Sequence, residues 1–196
     1  MMHLGTYSLA IVLLATTVAG CGASPATRFY TLNPTAKDDG ATASYTVGVG
    51  PVSIPAAVDR PQFVVQVAAN RVEIDEFNQW VGPLDEIIAR AVAGNLAVLL
   101  GTPDVAVTPL ASLNPDYRVS IDVQRFDSIR GEAVVVDAVW AVRGADAKQV
   151  QAGHTLARES VPEGSVDALA AAHSRALAAV SADIAAAIRT IAERKR

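Results

Sequence analysis

Catalysis and metal binding need nucleophiles, bases or ligands at workable spacings, and this chain of 196 residues offers few of them. Its histidines are His3, His154 and His173, and its only cysteine is Cys21. There is no His-x-x-x-His, no cysteine pair and no close acidic cluster, so neither a zinc nor an iron site is expected. No Gly-x-Ser-x-Gly elbow marks a nucleophilic serine, and Gly48-Val49-Gly50 sits inside a β-patterned stretch, not ahead of a helix, so it is no nucleotide fingerprint. A Ser–His–Asp set built on His154 would be a paper assembly, and an enzyme is not expected. The thiol that stands out is Cys21, which follows Val18-Ala19-Gly20 at the end of the one long apolar run near the N-terminus. A lone free thiol is a liability in an oxidising compartment, and acylation removes it.

Leu9-Ala10-Ile11-Val12-Leu13-Leu14-Ala15 is the apolar centre of that run, and Thr16 and Thr17 interrupt it. Secretory signals carry an apolar stretch of about 7–15 residues, whereas a spanning helix needs about 20. The run therefore reads as an export signal. Ala19-Gly20-Cys21 resembles the lipobox of bacterial lipoproteins. The resemblance implies removal of residues 1–20, a tether over 21–27, and diacylglycerol and an N-acyl chain on Cys21 in place of any cofactor. Each buried methylene contributes about 0.8 kcal/mol, so several chains make a firm anchor. Gly22 follows the cysteine where an Asp would favour the inner membrane, so the class resemblance points to the outer membrane, facing the periplasm. The segment departs from a standard signal in one way: no Lys or Arg precedes Arg28. The alternatives are an ordinary secretory signal with an incidental cysteine, or an uncleaved anchor.

The formal net charge is −4, and residues 1–20 contribute none of it. A mildly acidic chain lacks the basic stripe that nucleic acid requires. Residues 28–196 have the length of one domain, with 51% hydrophobic and 18% charged residues in the chain as a whole.

Periodicity supplies the elements. Arg28 to Leu32, Tyr45 to Ile54 and Phe63 to Val67 read as strands, with Ala69-Asn70 turning into Val72-Glu73-Ile74. Thr35 to Ser44 and Pro55 to Pro61 read as loops. Gly82-Pro83 opens a helix, with Pro83 in its first position, whose stripe is Leu84, Ile87, Ile88, Ala91, Asn95 and Leu99, and Gly101 ends it. Asn95 on that stripe predicts a helix-to-loop hydrogen bond at the core edge. Tyr117 to Val123 alternates strictly, a bulge is expected at Gln124-Arg125, and Ala133 to Val142 and Gln149 to Val161 are the next strands. Ser165 caps a last helix to Glu193, with His173 expected as a satisfied boundary residue. The fold class is α+β: a mixed, largely antiparallel sheet with two helices packed on one face.

The residues that could meet a partner are Tyr30, Pro55, Asp59, Arg60, Pro61 and Trp80. The alternative is structural, with prolines fixing turns, Asp59 pairing Arg60, and Trp80 stapling the helix start. Phe29-Tyr30-Thr31-Leu32, Val47 to Pro55, Asp59-Arg60-Pro61-Gln62, Trp80, Leu84, Asn95-Leu96, the strand Tyr117 to Phe126 and Trp140 run in an order that resembles the ABC-type transport auxiliary lipoproteins, the PqiC-like family. That resemblance implies a non-catalytic subunit serving an envelope lipid transport system with an MCE-domain partner, supporting membrane integrity, and open to homo-oligomerisation. A lipid-binding shuttle and a regulator of cell-wall or envelope assembly remain as alternatives.

Overall fold

Every other element is arranged around one strand. The computed structural model describes residues 25–38, 40–107, 114–145 and 149–194; the expected signal, Cys21 and the start of the tether lie outside them. In chain order the elements are β1 (Arg28–Tyr30), β2 (Val47–Ser53), β3 (Gln62–Ala68), β4 (Arg71–Trp80), α1 (Leu84–Leu100), β5 (Val105–Val107), β6 (Tyr117–Ile129), β7 (Ala133–Gly144), β8 (Val150–Ser160) and α2 (Val166–Arg194).

β6 is the hub. Tyr117, Val119, Ile121 and Val123 are buried while Arg118, Asp122 and Gln124 are exposed, as period-two alternation demands. The register on β7 slips between Val123 and Arg125, the expected bulge, after which Phe126 and Ser128 take over the buried side. β7 pairs antiparallel along β6, and β8 along β7. The opposite edge of β6 is shared. β2 runs parallel to its first half, with β5 parallel outside it, while β3 meets only its tip, where Gln66 faces Ile129. β3 carries antiparallel β4, and β4 carries parallel β1. The long ladders are antiparallel and the parallel ones short, so the mixed α+β sheet is as expected.

β4 is longer than its Val72-Glu73-Ile74 core suggested. Gln62 pairs Gln79 but Phe63 already pairs Asp75, so Glu76, Phe77 and Asn78 bulge out. The Asp75 carboxylate holds that bulge, accepting from Phe77 N and Asn78 N at 3.1 Å each and from Asn78 Nδ2 at 2.8 Å. The polar run had hidden a strand that continues to Trp80.

Both helices pack on the inner face of the sheet and against each other. Pro83 is the N-cap of α1, not its first residue, and its carbonyl accepts from Ile87 N at 3.1 Å. Gly101 ends the helix in the left-handed conformation, φ 62°. The Ser165 hydroxyl accepts from Ala168 N at 3.2 Å and caps α2. α1 buries more than one stripe, because Val92, Leu96 and Leu100 are covered as well.

Part of that cover is the segment after β1. Pro34 lies against Gly94, where a Cβ would stand 2.3 Å from Pro34 Cγ. Asn95 Oδ1 accepts from Thr35 N and Ala36 N, both at 2.9 Å, which is the helix-to-loop bond expected. Asn33 N donates to Ser174 Oγ and Thr35 Oγ1 to the Ser174 carbonyl, each at 3.2 Å. The polar loop is thus a strap over α1 and α2. Asn95 is fully buried under it, not at a core edge.

His173 also departs from expectation. It is no boundary residue: it is 0% exposed and stacks on Phe126 with ring centroids 3.8 Å apart. Its Nε2 shares a 2.8 Å hydrogen bond with Ser128 Oγ, and its Nδ1 has no partner. Burial alone lowers its pKa to about 3.

Trp140 lies across β8. Its indole N–H donates to Thr155 Oγ1 at 3.0 Å, and that hydroxyl donates to Asp183 on α2 at 2.6 Å. The residue opposite is Gly153, where a Cβ would come 2.3 Å from the indole. Only glycine leaves that space.

Candidate functional site

Three segments converge at one end of the core. The loop after β2 turns where Val58 N donates to the Pro55 carbonyl at 3.0 Å and Arg60 N to the Val58 carbonyl at 2.8 Å. Trp80 N then donates to the Pro61 carbonyl at 2.7 Å, and Val81 N to the Tyr30 carbonyl at 2.9 Å, which ties the loop, β4 and β1 together. Gly82-Pro83 leads directly into α1. The result is an open groove of about 450 Å³ lined by Asp59, Arg60 and Pro61 on one wall and by Trp80 to Leu84 on the other.

Its floor is apolar and fixed. Trp80 and Leu84 are 5% and 2% exposed. The Trp80 ring packs 4.6 Å from Phe63 and edge-on to Phe126 and His173 at 6.1 and 6.3 Å. Trp80 is therefore a floor and not a projecting anchor. The rim includes Val81, 62% exposed. A single apolar residue between Trp80 and Gly82 carries no periodic signal, and the sequence reading missed it.

The charges on the wall are unmatched. No ion pair joins Asp59 to Arg60, and neither side chain has a hydrogen-bond partner among the described residues. Asp59 is exposed, so water serves it. Arg60 is half-buried, and its Nε is shielded from water with no acceptor. A desolvated donor left unsatisfied costs roughly 1–3 kcal/mol, more when charged.

The structure brings Asp59, Arg60, Pro61 and Trp80 together and leaves Tyr30 and Pro55 outside the groove lining. Tyr30 packs edge-on to Phe63 at 5.9 Å, and its hydroxyl lies 3.0 Å from Asn78 Oδ1 and 3.4 Å from Asp167 Oδ2. Burial, then the Asp167 charge, raises its pKa. Pro55 is half-buried at the base of the turn. Cys21 lies outside the described residues.

A second surface flanks the groove. The face of β3 and β4 turned away from buried Phe63 and Val65 carries Val64 opposite Ile74 and Gln66 opposite Val72, and β1 adds Phe29 opposite Gln79. Phe29, Val72, Ile74 and bulge residue Phe77 are all exposed. Over β6 to β8 exposed Val139, Val150 and Leu156 are interspersed with Arg125–Asp127, Arg158–Glu132 and His154–Asp137 pairs. Among the described residues no three His, Cys, Asp or Glu side chains converge as a metal site, and no helix is long and apolar enough to cross a membrane.

Comparison with known proteins agrees with this anatomy. A crystal structure of an uncharacterized protein superposes with a TM-score of 0.67 at 23% identity, covering 83% of this chain and 99% of the other. A Xanthomonas campestris protein of the DUF330 family superposes at 0.68 and 15% identity, over 85% and 99%. At these identities the likeness is one of fold. No protein of curated function matches. The profile of the ABC-type transport auxiliary lipoprotein component matches residues 30–185, from Tyr30 through the strap, the groove, the forked sheet and most of α2. The chain belongs to the ABC-type transport auxiliary lipoprotein family.

Proposed function

We propose that this protein is a non-catalytic subunit of an MCE/ABC-type envelope lipid transport system. In this reading it is held by acyl chains on Cys21 at the outer membrane, faces the periplasm, and docks an MCE-domain protein through the Asp59–Pro61/Trp80–Leu84 groove. The groove carries the proposal: an apolar floor beside an unmatched guanidinium suits a binding surface. β1 follows the tether in sequence, and its Tyr30 carbonyl is tied to the rim residue Val81. A homo-oligomer would match a symmetric partner and present several grooves at once.

Two variants test this. Cys21→Ala, still exported, should lose its acyl chains by mass spectrometry and fail to restore detergent resistance to cells lacking the protein. Val81→Arg should remain acylated and folded but no longer co-purify with the MCE protein. Full detergent resistance with Cys21→Ala would overturn the anchor, and unchanged co-purification would overturn the groove. Stoichiometric lipid extracted from the purified protein would favour a shuttle.

A further inference from the structure

Arg60 does not resemble the other arginines. Arg71 and Arg143 are exposed, so water satisfies them, whereas Arg90, Arg125, Arg158 and Arg175 lie against carboxylates. Arg60 alone among these is half-buried with its Nε out of water and unaccepted. Its neighbour Asp59 does not turn to meet it, and Asp85 and Glu86, which start α1, do not reach it; Glu86 instead faces Arg90 at 3.2 Å. Arg60 lines the groove of about 450 Å³ with no carboxylate against its guanidinium. A carboxylate is the strongest partner for it, since a guanidinium and a carboxylate match in charge and in planar geometry.

Resting on the docking reading above, we propose that the groove takes a peptide segment of the partner in which a carboxylate adjoins an apolar side chain. The carboxylate meets Arg60, and the apolar side chain lies on Trp80 and Leu84. The volume falls within the range of about 300–1,000 Å³ of ordinary ligand sites. Asp59 decides between a peptide and a fatty acid. Its unpaired carboxylate stands on the same rim and accepts backbone N–H groups, which a peptide supplies and a fatty acid lacks.

The test uses the full chain purified in detergent and an array of acetylated, amidated pentapeptides. Each carries one apolar residue followed by Glu, with a matched Gln array. The indole N–H resonance of Trp80, assigned with a Trp140→Phe variant, reports binding. Glu peptides should move it and bind about thirtyfold more tightly than Gln peptides, the lower end of the scale expected when a desolvated charge pair is lost. Arg60→Gln should erase that difference, and Arg60→Lys should retain part of it. Equal binding of the two arrays, no binding by any Glu peptide, or a response to palmitate in place of peptides would each overturn the proposal. Co-purification separates this from the docking reading. Loss of the MCE protein with Val81→Arg but not with Arg60→Gln leaves docking in place and removes the carboxylate. Loss with neither removes both.

Discussion

Replacing His173 by Gln should change how stability depends on pH. In the folded protein His173 has one hydrogen-bond partner, Ser128, and an orphaned Nδ1 inside a cluster of Phe63, Trp80 and Phe126. An imidazolium needs two acceptors and finds one, which is why burial holds the ring neutral down to about pH 3. In the unfolded chain it titrates near the ordinary value of about 6.5. Between those values the unfolded state binds the extra proton, so stability is complete above about 6.5 and is lost as pH falls toward 3. From pH 7 to pH 5 the unfolded ring goes from about one quarter protonated to nearly full, which favours unfolding by about 2 kcal/mol. Gln can keep a bond to Ser128 but has no proton to gain. Urea unfolding followed by tryptophan emission should therefore show the wild type losing about 2 kcal/mol more than His173→Gln over that interval, with carboxylate effects cancelling in the difference. A stability difference that stays constant with pH, or a wild type that gains on acidification relative to the variant, would refute the neutral buried ring.

The strap and the Trp140 slot make three further predictions. Gly94→Ala improves helix propensity by about 1 kcal/mol, yet its Cβ would meet Pro34 Cγ at 2.3 Å. Crowding of that size costs about 1–3 kcal/mol, so the variant should be less stable by calorimetry. Asn95→Ala removes the bonds to Thr35 N and Ala36 N and should cost about 1–3 kcal/mol, with faster amide exchange confined at first to residues 33–36. Gly153→Ala should displace the Trp140 indole, break its bond to Thr155 and cost about 1–3 kcal/mol, visible as a shifted tryptophan emission maximum.

What could be read in advance divides by range. Elements with strong local periodicity were legible: the strict alternation of β6, its bulge at Gln124-Arg125, both helices, and the glycine stop at Gly101. Asn95 on an apolar stripe gave away its hydrogen bond but not its partner, because nothing in Thr35 or Ala36 marks them as donors. Features set by distant pairings were hidden. β4 past Ile74 reads as polar because its bulge is capped by Asp75 from within. His173 looked like a boundary residue because its neighbours Phe63, Trp80 and Phe126 come from three strands distant in sequence. The groove was half legible. Prolines and charges drew attention to Asp59, Arg60, Pro61 and Trp80, while the failure of Asp59 to pair with Arg60 is a matter of side-chain direction that composition does not contain.

The strap after β1 has a mechanical meaning. A body moored at Cys21, as proposed, receives any tug through Pro25 and then β1, a strand of only three residues at the margin of the sheet. Such a short strand would peel away under modest force. Just beyond it, Asn33, Thr35 and Ala36 are stitched to Asn95 in one helix and Ser174 in the other. Tension is thereby handed to the two heaviest struts of the domain.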